Sequence, residues 1–139
     1  MPAKDIYHDA IKNALIKDGW DIVADPYPLE YEDIELYPDL AIVKNNSANG
    51  EQRKLIVEIK SFISPSLFKD FELALGQYII YRNLIRLSQS EYQEIYLAIK
   101  NEVHESFFQR KSVQALININ NVSLVSIDVI KEEVVKWIN

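Results

Sequence analysis

Two acids and a lysine stand among residues that favour burial. Asp39 follows Tyr37-Pro38 and opens the apolar run Leu40-Ala41-Ile42-Val43, while Glu58 and Lys60 close the run Leu55-Ile56-Val57-Glu58-Ile59-Lys60. On an extended strand Ile56, Glu58 and Lys60 share one side, and Leu55, Val57 and Ile59 share the other. Charges in such a setting need partners, a metal or a catalytic task. The chemistry they suit is phosphodiester hydrolysis. It requires acids to hold a divalent cation, and a base or cation to help generate hydroxide or offset charge in the transition state. Asp39 and Glu58 are candidate ligands for Mg2+ or Mn2+, hard ions that often take one or two carboxylates plus waters, and the Ile59 carbonyl is a candidate third. Lys60, about 7 Å along the strand from Glu58, would orient the attacking water or steady the developing charge. The competing reading is an exposed Glu58–Lys60 pair on an edge strand, because Glu-x-Lys alone is a weak signal.

The site depends on the elements around it. Asp39–Val43 and Arg53–Ser61 read as strands joined by the Asn- and Gly-rich turn 45–50, which together suggest an antiparallel hairpin. Its ends away from the turn would bring Asp39 near Glu58 and Lys60. Upstream, residues 4–18 have helical spacing, with Gly19 as a stop, and Trp20–Val23 reads as a short strand after it. Residues 25–28, Asp-Pro-Tyr-Pro, form a turn or connector. Leu29–Leu36 is an acidic edge hairpin or extended arm. It is either a solvated surface, or one of Glu30, Glu32 and Glu35 supports a metal beside Asp39.

Downstream, Ser64 or Ser66 caps a long helix running to about Leu87. Phe68, Phe71, Leu75 and Ile79 form one apolar stripe; Leu73, Ile80, Leu84 and Leu87 form another. One side should meet the sheet, and the other a second subunit or a neighbouring helix. Gly76, costly in mid-helix, suggests close approach to a strand backbone. Gln77 and Tyr81 lie one turn apart on a face of this helix. A buried strand at 94–99, short helices at 101–108 and 111–117, and two terminal strands at 122–127 and 134–138 complete a single α/β domain over 1–139. Tyr78, Tyr81, Tyr96 and Trp137 read as core or interface. Arg82, Arg86, Lys100, Arg110 and Lys111 read as scattered solvated bases or a modest basic surface.

Composition narrows the function classes. The 139 residues are 48% hydrophobic and 26% charged, an ordinary globular balance. With no cysteine, disulfide frameworks and thiolate zinc sites are excluded, and two histidines are too few for a histidine-rich centre. No apolar run approaches a membrane span, and the first residues lack a signal-peptide core, so the expected location is cytoplasmic. Net charge is −6, concentrated in residues 1–40, which carry ten acids against three lysines. Such a chain repels nucleic acid at long range unless a metal, a basic patch or a partner intervenes.

Pro38-Asp39 with Glu58-Ile59-Lys60 resembles the PD-(D/E)XK nuclease superfamily, whose restriction-endonuclease-like core is αβββαβ. The resemblance implies a central mixed sheet flanked by helices, here with extra C-terminal strands. It implies Asp39, Glu58 and Lys60 as catalytic residues, with the metal on Asp39, Glu58 and Ile59. Gln77 and Tyr81 match the superfamily's Gln-x-x-x-Tyr, which implies site support or substrate contact. His8 and Lys12, one turn apart on the first helix, are further candidates at the site mouth. A metal-supporting Glu common on the superfamily's first helix has no counterpart here; Asp5, Asp9 or His8 would substitute.

A fuller resemblance is to the XisH family of excision controlling factors. It rests on Lys4–Trp20, the Val57–Phe62 strand, the Glu72–Tyr78 segment and the Val135–Asn139 ending. It implies a role in programmed DNA element excision, with DNA, a XisI-like protein and a recombinase as partners. Three functions follow as expectations. One is a metal-dependent endonuclease or nuclease-derived component. The second is a non-catalytic accessory factor that binds DNA or a partner. The third is a homo-oligomeric scaffold built on the long helix.

Overall fold

The fold was analysed in a computed structural model, which describes residues 4–45, 48 and 50–139. The first helix, α1 (His8–Lys17), leads into β1 (Asp21–Ala24), a small antiparallel pair β2 (Leu29–Tyr31) and β3 (Ile34–Leu36), and the hairpin β4 (Leu40–Asn45) and β5 (Gln52–Ile59). The long helix α2 (Leu67–Leu87) follows, then β6 (Glu94–Lys100), α3 (Asn101–Glu105), α4 (Lys111–Ile119), β7 (Leu124–Asp128) and β8 (Glu133–Ile138). Six strands form one mixed sheet in the order β1-β4-β5-β6-β7-β8. β5, β6 and β7 run parallel, and the outer pairings are antiparallel. The expected central mixed sheet flanked by helices, with added C-terminal strands, is the one observed. The expected turn at 45–50 lies largely outside the described residues.

The strand pattern explains why both sheet faces are covered. In β5, Leu55, Val57 and Ile59 join Ile11, Ala14, Leu15 and Trp20 of the α1 side in one core. Ile56 joins the other, with Phe71, Tyr78 and Ile85 of α2 and Phe108 and Val113 of the α3–α4 segment. Each central strand is apolar on both sides, as buried parallel strands must be. The two parallel connections place α2 and α3–α4 on the same face, as crossovers of one hand moving one way across a sheet require.

Several local features refine or correct the sequence expectations, each for a physical reason. The first helix begins at His8 rather than residue 4, because the Asp5 carboxylate accepts the Tyr7 N–H at 2.9 Å and turns the chain there. Ser66, not Ser64, caps α2: its hydroxyl accepts the Lys69 N–H at 3.3 Å. Ser64 instead gives its N–H to Asp70 in the first turn. The second apolar stripe of α2 is not buried within the chain; Leu73, Ile80 and Leu87 are exposed and only Leu84 is covered. Gly76 approaches no strand, and a Cβ built there would meet nothing within 4 Å. Gly76→Ala should therefore raise the stability of the single chain by about 0.5–1 kcal/mol through the lost unfolded-state freedom of glycine. Urea denaturation at low protein concentration checks this; a decrease in the midpoint would contradict it.

Candidate active site

The hairpin register brings the acids together. Leu40 pairs with Val57 in antiparallel β4–β5, so the next position outward sets Asp39 opposite Glu58. Each carboxylate then binds the other's strand: Glu58 Oε1 accepts the Asp39 N–H at 3.1 Å, and Asp39 Oδ2 accepts the Ile59 N–H at 2.8 Å. These bonds satisfy strand-end amides and fix both side chains. The two carboxyl groups are close enough for each to act on the other's protonation.

Burial and mutual repulsion govern the protonation of this pair. Glu58 is buried, and its carboxyl is pushed up to about 9, first by desolvation and then by the charge of Asp39. Asp39 is also raised, chiefly by burial, against the opposing pull of the Ile59 amide. Two carboxyls this close cannot both ionise cheaply in a dry site, so they hold a proton between them. A divalent cation in the proton's place would relieve the same repulsion.

Around the pair lies a pocket of about 170 Å³, lined by Asp5, Tyr37, Lys60, Gln77 and Tyr81 together with Asp39, Glu58 and Ile59. The structure thus gathers Asp39, Glu58, Ile59, Lys60, Gln77 and Tyr81 at one sheet end, with α2 supplying the last two. Burial raises the Tyr81 hydroxyl most, and the neighbouring Glu58 and Asp39 charges raise it further. Tyr81 therefore stays a neutral hydrogen-bonding phenol at ordinary pH. Gln77 Oε1 is buried with no hydrogen-bond partner among the described residues, so a donor within the pocket would satisfy it.

Tyr37 was not singled out in the sequence, although its spacing from Asp39 held the signal. Two residues apart in an extended segment, the two side chains point to the same side. Of the first-helix substitutes, only Asp5 reaches the pocket, and both its oxygens are engaged, by the Tyr7 and Ser61 N–H groups. Asp9 is exposed. Glu30 and Glu35 face each other across the β2–β3 pair and do not line the pocket. Among the described residues, no three acid or histidine side chains converge on one point as a metal cage. A cation here would rest on Asp39 and Glu58, with backbone carbonyl and water completing its shell. Mg2+ commonly binds proteins in this way.

His8 and Lys12 are placed beside the pocket, on Asp25 rather than in the pocket lining. His8 Nε2 lies 2.8 Å from Asp25 Oδ1, and Lys12 donates to Oδ2 at 2.7 Å. Burial alone would raise the Asp25 carboxyl, but Lys12 and His8 outweigh it and hold the group below its usual value. The stability from these contacts is present above the ordinary carboxylate pKa and lost as pH falls through the lowered one. Asp25→Ala leaves a buried imidazole and a half-buried ammonium without their acid, at an expected cost of about 2 kcal/mol. Chemical denaturation at neutral pH checks it, and a midpoint unchanged from wild type would show the cluster to be energetically idle.

The class defined by these features is a mixed α/β domain with a carboxylate pair, one member of it buried, and a lysine at one sheet end. The chain matches the family described as XisH protein over residues 1–135 and belongs to the XisH family. Two solved structures resemble it along nearly its whole length. An XisH family protein from Nostoc punctiforme PCC 73102 is 36% identical, with a TM-score of 0.86, covering 97% of this chain and 100% of its own. An FdxN element excision controlling factor protein from Anabaena variabilis is 34% identical, with a TM-score of 0.83, covering 98% and 100%. No curated protein matches the chain. Among the described residues no helix is long and apolar enough to cross a membrane.

Proposed function

We propose that the chain is a PD-(D/E)XK-type, metal-dependent DNA endonuclease, or a component derived from one, serving the excision of a DNA element. The observation that carries this reading is the Asp39–Glu58 pair, in which Glu58 is buried and pushed up to about 9, beside Lys60 in one pocket. Repulsion of this kind in a dry site is unfavourable unless a cation offsets it. The order α1, β1, β4, β5, α2, β6 supports it, since it reads as αβββαβ once the small β2–β3 pair is set aside. The description of the Anabaena variabilis relative supports the excision context.

In this reading Asp39 and Glu58, their proton lost to solvent, would hold Mg2+ or Mn2+. The cation supplies Lewis-acid polarisation of the phosphate and lowers the pKa of water. Lys60 positions the attacking water and offsets charge as the phosphorane-like transition state forms. Gln77 supports the site with an Oε1 placed to accept from a pocket water, and the neutral Tyr81 hydroxyl can donate to a phosphate oxygen of the substrate. The Asp39 and Glu58 backbone contacts keep the acids in place so that little reorganisation accompanies reaction.

A second reading has its own support. The first 40 residues carry an excess of seven acids, ten against three lysines. That charge favours a basic protein partner over naked DNA. In this reading the chain is a non-catalytic accessory factor that controls a recombinase, alone or with a XisI-like partner. Supercoiled, linear and branched DNA incubated with the protein and Mg2+ or Mn2+, with and without the partner, separates the two. Nicking that disappears in both Glu58→Ala and Lys60→Ala, by at least about 100-fold, is the expected result. No cleavage in any arm, with unchanged partner capture by Glu58→Ala, would favour the accessory factor.

A further inference from the structure

We propose that α2 pairs antiparallel with α2 of a second copy of this chain, across a two-fold axis at Ile80. The inward face of α2 is buried through Phe71, Ala74, Tyr78 and Ile85. On the outer face Leu73, Ile80 and Leu87 are 61%, 50% and 57% exposed. Their spacing of seven sets them on one line of the helix, two turns apart, as on the seam of a helix pair. The line extends about 21 Å, and its three side chains stay exposed among the described residues.

Gly76 lies beside this line, between Leu73 and Ile80. It is helical, has open space above it, and lowers helix stability by about 1 kcal/mol relative to Ala. Neither backbone conformation nor packing within the chain calls for a glycine there. A second helix laid against the stripe does, because a missing side chain lets two backbones approach.

The occupant is a second copy because the face is complementary to itself in one orientation. A two-fold at Ile80 sets Leu73 of one copy on Leu87 of the other, and Ile80 on Ile80. Glu72 and Arg86 occupy the same flank of the stripe, are exposed, and make no ion pair among the described residues. The same two-fold brings Glu72 of each copy within a turn of Arg86 of the other, forming two symmetric pairs. A parallel arrangement would instead set the Glu72–Arg86 flank of one copy against the Gln77–Tyr81 flank of the other, forming no such pairs, and would align the helix dipoles unfavourably. Gln77 and Tyr81 fall on the opposite flank, so the pocket at Asp39 and Glu58 stays open in the dimer. Three large apolar side chains per copy make a modest core against the roughly 800 Å² per partner of a standard interface. A core of this size suits a weak, reversible dimer, with a dissociation constant of roughly micromolar order or above.

Sedimentation velocity of the full chain over a concentration series that spans this range tests the proposal. Wild type should pass from monomer to dimer, and Ile80→Asp should remain monomeric with an unchanged melting temperature. Glu72→Arg should weaken the dimer about tenfold, and Glu72→Arg with Arg86→Glu should restore it. The chain has no cysteine, so Ile80→Cys should form a disulfide-linked dimer much faster than Ile130→Cys, a more exposed position. A wild-type chain that stays monomeric throughout overturns the proposal. So does a double exchange that fails to restore the dimer, or Ile80→Cys linking no faster than Ile130→Cys.

Discussion

In metal-free buffer at about pH 8.5, Glu58→Gln should melt several degrees above wild type, and at about pH 5 the difference should vanish. The sign follows from the raised carboxyl. Glu58 titrates near 9 in the folded chain, against an ordinary value of 4.5. The folded state therefore holds a proton that the unfolded state releases between those values. Stability is fully present below the unfolded value and declines as pH rises toward the folded one. Asp39, raised in the same direction, adds to the decline. A neutral glutamine copies the shape of protonated Glu58, keeps an oxygen for the Asp39 N–H, and carries no charge to desolvate.

Millimolar Mg2+ or Mn2+ should reverse the ranking. Ligand that binds only the folded state stabilises it by RT ln(1 + [L]/Kd), so the wild-type melting temperature should climb with metal while Glu58→Gln stays flat. Differential scanning fluorimetry over a pH and metal grid reads both effects. A wild-type melting temperature independent of pH from 5 to 8.5, and of metal, would remove the physical basis for a cation site.

The second large effect is structural and lies beneath the pocket. Phe71 is fully buried on α2, with ring centroids 5.9, 5.8 and 5.8 Å from Phe68, Phe107 and Phe108. Phe62, two residues beyond Lys60, joins the same cluster at 5.3 Å from Phe108. The cluster thus clamps the start of α2, the exit of β5 and the turn after α3 at one end of the sheet. Phe71→Ala should cost about 3–5 kcal/mol from lost transfer energy and the cavity left behind. Against a typical total of about 5–15 kcal/mol, that removes a large part of the stability. Because α2 carries Gln77 and Tyr81, metal affinity measured at low temperature, where the variant remains folded, should fall as well. Phe71→Leu should recover most of both. A cost below about 1 kcal/mol would mean that the rings repack freely and do not position the site.

The two effects explain why the pocket exists where it does. The register of β4 on β5 opposes the acids, and the aromatic cluster holds α2 over the sheet end so that Gln77 and Tyr81 close the remaining side. Tyr78 reinforces the same placement from within the core. Its hydroxyl donates to the Ile95 carbonyl at 3.1 Å and accepts the Ser123 N–H at 2.9 Å, tying α2 to β6 and to the entry of β7.

Much of this was legible in the chain because it is local. Alternation in Leu55–Lys60, the Ser66 cap and Gly19 after the first helix are properties of neighbours along the sequence, and each led to the correct kind of element. Strand pairing was partly legible: a hairpin has few registers, and burying both acids' flanks selects one of them. The helix boundaries were less so. Asp5 delays the start of the first helix by accepting the Tyr7 N–H and, from 56 residues away, the Ser61 N–H.

What the sequence determined by itself was the family, the order of elements and which acids stand among apolar neighbours. Those depend on residue type and short-range periodicity. Tertiary structure alone decided how those residues are used. It placed His8 and Lys12 on Asp25, brought Tyr37 and Asp5 into the pocket, left Glu30 and Glu35 outside it, and showed Gly76 in open space. It also raised Glu58 far above an ordinary carboxylate. Each of these outcomes depends on which distant segments exclude water around a group. That is a property of the folded packing, and no spacing along the chain encodes it directly.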